Sequence, residues 1–541
     1  MSNSSTHTEI VEKDVMIREG GPWSGAWKVA AGIGGLGIAL TAAGAFTDHT
    51  RFAFAYLYAF CAFLMIALGG LFFVIVQHLV SANWSVTVRR TAEFLASGLP
   101  AFAVLAVPVF LSFPTLCPML AKEHTGGKHA MLAVFEDNAF AQPAHPGSAL
   151  APDNAPTAHP LASGVPAAGT PGGPAASAAP AGSAAAPAAS GGTAAVGVTP
   201  SASGIPAPTA PHGDEEAAEA HAANEAAKPQ EHAAGAATDP HGTAAGAHVG
   251  AEHAEHDPHH YLHSQTLERK RGYFAPGFYY GRAVFYVAVW SVLGLMFFRS
   301  SVKQDKVKGF EITKQAYARS PASLALFALT LTFAMFDWIM ALEPSWFSTI
   351  FGLYMFATAV VSSLTIITLI TMSLREAGYV KDLITVEHFH DLGKLLFGFT
   401  VFWAYIAFSQ FMLIWYAGLP EETTYYHTRW DNGPWAFVSM VVLFGHFVVP
   451  LFFFMSRNIK RDLPKFKIGV LLYLPFHFIE WYWLVMPNLM PAEYTFHWVD
   501  FTALMAVGGS YFAVVFYNMT KHALIPVGDP RLQRSIHFQN A

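Results

Sequence analysis

Long apolar runs separated by short polar segments dominate this chain of 541 residues. Ten of the runs reach the roughly 20 residues that an α-helix needs to cross a bilayer, and they lack the alternation of a transmembrane β-strand. The predicted spans are 27–47, 52–80, 94–113, 277–298, 322–342, 346–372, 392–417, 435–456, 466–486 and 501–519. The pattern therefore predicts an all-α polytopic membrane protein with ten transmembrane helices.

The short connections between the predicted spans differ in charge. Those after spans 2, 4 and 8 are rich in Lys and Arg, whereas those after spans 7 and 9 are acidic. Because short loops rich in Lys and Arg stay in the cytoplasm, the pattern predicts a cytoplasmic N-terminus (1–26) and C-terminal tail (520–541). Spans 1–3 then occupy 27–113, spans 4–10 occupy 276–519, and the loop at 114–275 is predicted to be periplasmic.

Composition supports the membrane prediction. The chain is 53% hydrophobic and only 13% charged, where a soluble domain has about 25% charged residues. A soluble multidomain enzyme is thereby excluded, and nothing in the charge pattern indicates a nucleic-acid partner. With two cysteines and no CxxC sequence, the chain has no site for a covalently bound haem or an iron–sulfur cluster.

The predicted periplasmic loop has an unusual composition. From about 139 to 260 it consists mostly of Ala, Pro, Gly and His, and the loop carries 14 of the 25 histidines. Such a segment lacks the bulky apolar residues that would offset the entropy of ordering, so it is predicted to be disordered. A solvated acidic linker is favoured over a metal-binding role.

Four polar residues interrupt the apolar spans. Asp337 lies in span 5, His446 in span 8, and His477 and Glu480 in span 9. Each costs a few kcal/mol in mid-membrane and is usually functional or buried between helices. His477 and Glu480 are three residues apart, so they share a helix face and can hold a proton between them. Asp337 is expected either to pair with Trp, Tyr or Ser donors or to ionise in a wet cavity.

Two prolines fall beside these histidines. Pro450 leaves the carbonyl of His446 without its helical donor, and Pro475 does the same to the carbonyl of Leu471. A freed carbonyl inside a membrane requires another polar partner. The sequence therefore predicts kinks that lodge water or a polar ligand head. The alternative is a structural hydrogen-bonded pair that joins spans 8 and 9.

Polar residues also mark the predicted cytoplasmic edge of the membrane. The segment EHFHD at the start of span 7 contains His390 and Asp391. Three interpretations stay open for it: a weakly specified metal site, a proton-collecting surface, and a polar helix start with acidic residues near its N-terminus. His78, Arg89 and Arg90 are predicted to be interfacial anchors.

Two stretches resemble a known family. FDWIMALEPSWFSTIFGLYMFA (336–357) and HDLGKLLFGFTVFWAYIAFSQFMLIWYAGLPEET (390–423) resemble the F subunit of bacterial alternative complex III, a quinol:electron-acceptor oxidoreductase. That subunit belongs with the polysulfide-reductase-type, ten-helix membrane anchors. The resemblance implies two four-helix bundles, spans 2–5 and 6–9, flanked by spans 1 and 10. It also implies a location in the bacterial inner membrane.

The resemblance further implies partners and a substrate. The partners would be a homologous C-type membrane subunit, an iron–sulfur subunit, and multihaem and monohaem cytochrome c subunits. Quinol would be the substrate of the whole complex, with no redox cofactor on this chain. The long Ala/Pro/His loop departs from the family pattern.

Three functions stay open at this stage. The first is a quinone-interacting or proton-conducting subunit, in which the candidate groups are Asp337, His446, His477, Glu480, His390 and Asp391. The second is a purely structural membrane anchor of the complex. The third is a secondary transporter, whose usual signature is broken helices at matching positions of two repeats. The prolines of spans 3, 8 and 9 form no such pairs.

Overall fold

Apolar helices make up the body of the protein in the computed structural model. The structure describes residues 12–117, 268–307, 309–431 and 433–540, and these residues contain helices and no strand. The segment predicted to be disordered, 139–260, lies outside the described residues. The all-α prediction is confirmed for the described part of the chain.

Helices cover all ten predicted spans, and most boundaries agree within a few residues, whereas short helices at 420–430, 457–461 and 532–536 lie outside the spans. They are α1 (Ala26–Thr47), α2 (His49–Leu79), α3 (Val86–Ser97), α4 (Ala101–Leu116), α5 (Pro276–Gln304), α6 (Glu311–Trp338), α7 (Phe351–Glu376), α8 (Val386–Ala417), α9 (Pro420–Trp430), α10 (Pro434–Val442), α11 (Val449–Met455), α12 (Arg457–Arg461), α13 (Leu463–Val485), α14 (Trp498–Lys521) and α15 (Leu532–Ile536). Within the described ranges, nine helical segments are long and apolar enough to cross a membrane, and α3 with α4 adds a bent pair. The chain is thus a multi-pass membrane protein, whereas the count of ten spans and the two four-helix bundles stay predictions.

Prolines account for the two irregular spans. The third span bends by 42° between α3 and α4, where Pro100 has no backbone N–H to donate to the preceding turn. The eighth span contains a π-helical turn (Leu443–Val448) between α10 and α11, immediately before Pro450. Single π turns within α-helices are frequent at functional sites.

Helix α2 lies at the centre of the helical body. It contacts α3, α4, α6, α7, α13 and α14, and it is buried along nearly its whole length. Small residues permit the closest approaches. A Cβ added at Gly69 would lie 2.0 Å from the carbonyl oxygen of Ala359 on α7, and one added at Gly37 of α1 would lie 2.3 Å from the backbone nitrogen of Ala506 on α14.

Buried ion pairs fix one end of the helical body, here called the basic end. Arg89 pairs with Glu93 at 2.9 Å and with Asp529 of the C-terminal tail at 2.7 Å. Arg90 pairs with Glu93 at 2.9 Å and with Asp305 at 2.8 Å. The prediction that both arginines are interfacial anchors is therefore wrong. Three carboxylates from three segments pair with them, so both arginines are buried inside the protein and not at its surface.

The other basic connections meet at the same end. Arg461, which follows span 8, pairs with Glu387 at the start of α8. The tail residue Asn540 donates to the carbonyl oxygen of Glu387 at 3.1 Å. The N-terminal segment joins them, since Leu524 of the tail donates its N–H to the carbonyl oxygen of Val15 at 2.9 Å. The Lys- and Arg-rich connections and the chain segments near both termini therefore share one end, which agrees with the charge pattern.

Candidate functional site

A carboxylate lies buried among polar partners near the far end of α13. Glu480 has no exposed surface. Its Oε1 accepts hydrogen bonds from the hydroxyl of Tyr354 (2.6 Å) and the indole Nε1 of Trp403 (2.7 Å). Thr358 donates to the same oxygen at 3.0 Å. Two of these donors are on α7 and one is on α8, so three helices meet at this carboxylate.

The second oxygen of Glu480 faces an imidazole. Nε2 of His446, in the π-helical turn, lies 3.2 Å from Oε2 of Glu480, and both side chains are wholly buried. His477 was the expected partner, but its Nε2 lies 3.0 Å from the carbonyl oxygen of Ala62 on α2. That oxygen only accepts, so His477 carries a hydrogen on Nε2. The histidine in contact with Glu480 is therefore His446.

The π-helical turn supplies the freed carbonyl that the sequence predicts. Pro450 has no N–H to donate to the carbonyl oxygen of His446, and the hydroxyl of Tyr473 on α13 donates to it at 2.9 Å. The same hydroxyl lies 3.1 Å from Nδ1 of His446. The irregular backbone thus places the imidazole between a tyrosine on one side and a carboxylate on the other.

The hydrogen bonds around His446 leave one proton for which two atoms are available. Because the hydroxyl of Tyr473 donates to the carbonyl oxygen, Nδ1 of His446 donates to the tyrosine oxygen. A further proton then resides either on Nε2 of His446 or on Oε2 of Glu480. Moving it converts a neutral pair into an ion pair and changes none of the other hydrogen bonds. An imidazole and a carboxylate at this distance are groups of the kind that exchange a proton. The contact does not have hydrogen-bond geometry, so the transfer requires a small reorientation of the two side chains.

A run of hydroxyl groups on α7 was not among the predicted site residues. The buried members are Thr358, Ser362, Ser363, Thr365, Thr368 and Thr371. From Thr358 to Thr371 the helix rises roughly 20 Å, and the Oγ1 of Thr371 lies 3.2 Å from that of Thr91 on α3. The signal was present, since six Ser and Thr residues within 14 positions are unusual for an apolar span. The run leads from Glu480 to the basic end.

Asp337 has an ion-pair partner that was not among the predicted site residues. Arg282 on α5 holds both of its oxygens, with Nε 2.9 Å from Oδ2 and Nη2 3.0 Å from Oδ1. The hydroxyl of Tyr286 donates to Oδ2 at 2.9 Å. The guanidinium of Arg282 lies over the ring of Tyr273, 3.8 Å from its centroid. The first of the two expectations for Asp337, a Tyr donor, is thus met by Tyr286. The signal for the ion pair was an unassigned arginine within span 4.

The EHFHD segment is divided among several structural contacts. Glu387 pairs with Arg461, and Asp391 pairs with Lys394. Nε2 of His388 lies 3.0 Å from the carbonyl oxygen of Ser535 in the tail. Within the described ranges, no group of three or more His, Cys, Asp or Glu side chains is arranged to hold a metal ion. The metal-site interpretation of this segment therefore has no support.

The six predicted site residues fall into three groups. Glu480, His446 and His477 lie together where α13 meets the π-helical turn, Asp337 lies between α5 and α6, and His390 and Asp391 lie at the start of α8. No direct hydrogen bond or ion pair joins these groups in the described part of the chain. Only the first group contains two protonatable side chains in contact across helices.

Comparison with known proteins identifies no family for this chain. No family model matches the chain. No curated protein matches its sequence. The resemblance to the F subunit of alternative complex III therefore stays a prediction.

Proposed function

We propose that this chain is a membrane subunit of a quinol-oxidising respiratory complex, and that its Glu480–His446 pair takes up and passes on protons. The observation that carries the proposal is a carboxylate without exposed surface whose free oxygen faces an imidazole at 3.2 Å. Burying two ionisable groups in a membrane is costly. A role in proton transfer would explain why the chain buries two such groups, because the pair can exchange a proton without rearranging its neighbours.

The hydroxyl groups of α7 extend the proposal to a route. Thr358 contacts Glu480 directly, and the buried Ser and Thr residues that follow it reach Thr91 near the basic end. Ser362, Thr365 and Thr368 donate to backbone carbonyl oxygens of their own helix. Hydroxyl groups both accept and donate, so with water between them they would hand a proton onward. In this proposal protons move between Glu480 and the basic end, which the charge pattern predicts to be cytoplasmic.

The family resemblance supplies the rest of the proposed assembly. The chain would span the bacterial inner membrane ten times, with two four-helix bundles and both termini in the cytoplasm. It would join a homologous C-type membrane subunit, an iron–sulfur subunit, and multihaem and monohaem cytochrome c subunits. Quinol oxidation in that complex releases protons, and this chain would give them a buried carrier.

Three substitutions test the proton-transferring pair. Glu480→Gln keeps an oxygen that accepts from Tyr354, Thr358 and Trp403 but releases no proton. We expect quinol-driven proton movement to fall on the order of 100-fold, as for loss of an acid–base group, with little change in unfolding temperature. His446→Gln is expected to reproduce this loss. His477→Gln is the matched control, because Gln can still donate to the carbonyl oxygen of Ala62.

The measurement uses the native complex, purified through this chain and reconstituted into vesicles. Proton movement and electron transfer are followed together after quinol is added. Normal proton movement in Glu480→Gln would leave the pair as a structural link between helices. A reduced-minus-oxidised spectrum without haem bands would contradict the assignment to a cytochrome-containing complex.

A purely structural anchor is the second candidate function. It is favoured by the saturation of Asp337, whose two oxygens are held by Arg282 and Tyr286. The same holds for Oε1 of Glu480, which accepts three hydrogen bonds. The two candidate functions differ over Oε2, which has only the imidazole as a partner.

A further inference from the structure

An open groove lies between the basic ends of α5 and α14. Its volume is about 510 Å³. Arg299, Lys303 and Lys306 contribute cationic side chains from the α5 side, and Phe298 and Val302 contribute apolar surface. No carboxylate lines the groove. This combination of cations with an apolar surface is independent of the Glu480 site.

The three cations lack acidic partners. Neither Arg299, Lys303 nor Lys306 forms an ion pair with any residue that the structure describes. By contrast, Arg89 and Arg90 at the same end are paired with carboxylates. Three unpaired cations around one concave surface create a positive potential that an anion would neutralise.

The opposite wall of the groove is polar and carries no permanent charge. His522, directly after α14, lines the groove together with Asn518. Burial lowers the pKa of the His522 imidazole, and the charges of Arg90 and Lys306 lower it further. An anion bound beside Lys306 would therefore raise the pKa of His522.

The width of the groove is fixed by a third helix. Asn518 on one wall donates its Nδ2 hydrogen to Oγ of Ser97 at 2.8 Å. Phe298 on the other wall packs against Phe94, with ring centroids 5.8 Å apart. Because Ser97 and Phe94 both belong to α3, the two walls rest on one helix. The groove is thus formed before any ligand arrives.

Apolar surface continues from the groove along both helices into the predicted membrane. Val292 on α5 is 64% exposed and lies two turns before Arg299. Val514 on α14 is 37% exposed and lies one turn before Asn518. A ligand that matches this surface has an anionic head at the rim and apolar chains below it.

We propose that the groove binds an anionic phospholipid, with its phosphate at Arg299, Lys303 and Lys306 and its acyl chains along α5 and α14. Basic pockets between transmembrane helices on the side with Lys- and Arg-rich loops suit anionic headgroups. A soluble phosphate would use the cations and leave the apolar surface exposed. The amphipathic lining therefore favours the lipid.

Lipid binding is tested on the full chain, purified in detergent and titrated with phosphatidylglycerol by native mass spectrometry. The groove variant combines Arg299→Gln, Lys303→Gln and Lys306→Gln. Each Lys or Arg near the surface contributes about fivefold in affinity, so we expect on the order of 100-fold weaker binding. The wild-type chain is expected to prefer phosphatidylglycerol over phosphatidylcholine.

The matched control removes the same number and kind of charges elsewhere. It combines Lys314→Gln, Lys381→Gln and Arg457→Gln, three exposed residues that do not line the groove. This control is expected to bind phosphatidylglycerol like the wild-type chain. Equal affinity of the groove variant and the control would overturn the proposal. Inorganic phosphate that displaces the lipid completely, or equal binding of phosphatidylcholine, would also overturn it.

Discussion

The two carboxylates buried within membrane-spanning helices, Asp337 and Glu480, differ in the side chains that they face. Both oxygens of Asp337 face a permanently charged guanidinium, because arginine does not release its proton in proteins. One oxygen of Glu480 faces the imidazole of His446, a group that, unlike a guanidinium, exists in both a neutral and a protonated form in proteins. Both carboxylates could be recognised in the sequence, because each lies within an apolar span. The proposed distinction between a structural pair and a proton-carrying pair therefore rests on the identity of the partner.

Asp337→Asn is therefore expected to destabilise the protein. The change leaves Arg282 without its carboxylate, and breaking a buried ion pair costs roughly 3–5 kcal/mol. Thermal unfolding of the purified chain in detergent measures the loss. The double variant Asp337→Asn with Arg282→Gln should recover part of the stability, because no uncompensated charge remains. An unchanged unfolding temperature together with slower proton movement would instead assign Asp337 to the proton route.

Among the helices, the eighth span shows how a local irregularity builds a site. The π-helical turn ends where Pro450 cannot donate to the carbonyl oxygen of His446, and Tyr473 takes the vacant position at 2.9 Å. The freed carbonyl was predictable from the sequence, because proline acts on the residue four positions earlier. Tyr473 as the substitute donor was not, because it comes from a different helix.

Pro450→Ala tests the role of the turn. Alanine restores an N–H that can donate to the carbonyl oxygen of His446, so Tyr473 loses that acceptor and the imidazole loses its fixed orientation. We expect proton movement in the reconstituted complex to fall about tenfold or more, while stability is kept or increased. Pro434→Ala is the control, since Pro434 begins α10 and an N–H there has no helical acceptor. Equal proton movement in both variants would show that the turn is not required.

At the scale of the whole molecule, the sequence predicted the positions of the helices better than their contacts. Apolar runs fix where a membrane helix can lie, and the predicted spans match the observed helices within a few residues at most boundaries. Contacts between distant segments left no such local pattern. Arg282 with Asp337 and Arg89 with Asp529 are 55 and 440 residues apart along the chain. The ion pairs that connect the helices were therefore missed.

A buried ion pair at the basic end makes the stability of the fold depend on pH in the acidic range. Burial by itself would raise the pKa of the Asp529 carboxyl, but Arg89 and Arg531 hold that pKa well below its ordinary value of 3.8. A carboxylate with a lowered pKa stabilises the fold at every pH above its ordinary value. That contribution is lost as the pH falls below about 3.8 toward the pKa in the folded protein. The C-terminal tail is thus expected to detach from α3 only in strong acid.

Asp529→Asn should reproduce that detachment at neutral pH. The variant leaves Arg89 with Glu93 as its remaining carboxylate partner, and loss of one partner in a buried pair costs roughly 3–5 kcal/mol. Hydrogen exchange of the amides in α15 is the measurement. Relative to the intrinsic exchange rate at each pH, exchange should be much faster in the variant than in the wild-type chain at pH 7. As the pH falls below 3.8, this relative rate should rise in the wild-type chain and change little in Asp529→Asn. Asp431→Asn is the control, because Asp431 pairs with His427 at an exposed site and exposed pairs contribute little. Exchange in α15 that is equally slow in wild type and Asp529→Asn at pH 7 would mean that other contacts, such as those of Ser535 with Thr87 and Trp84, hold the tail.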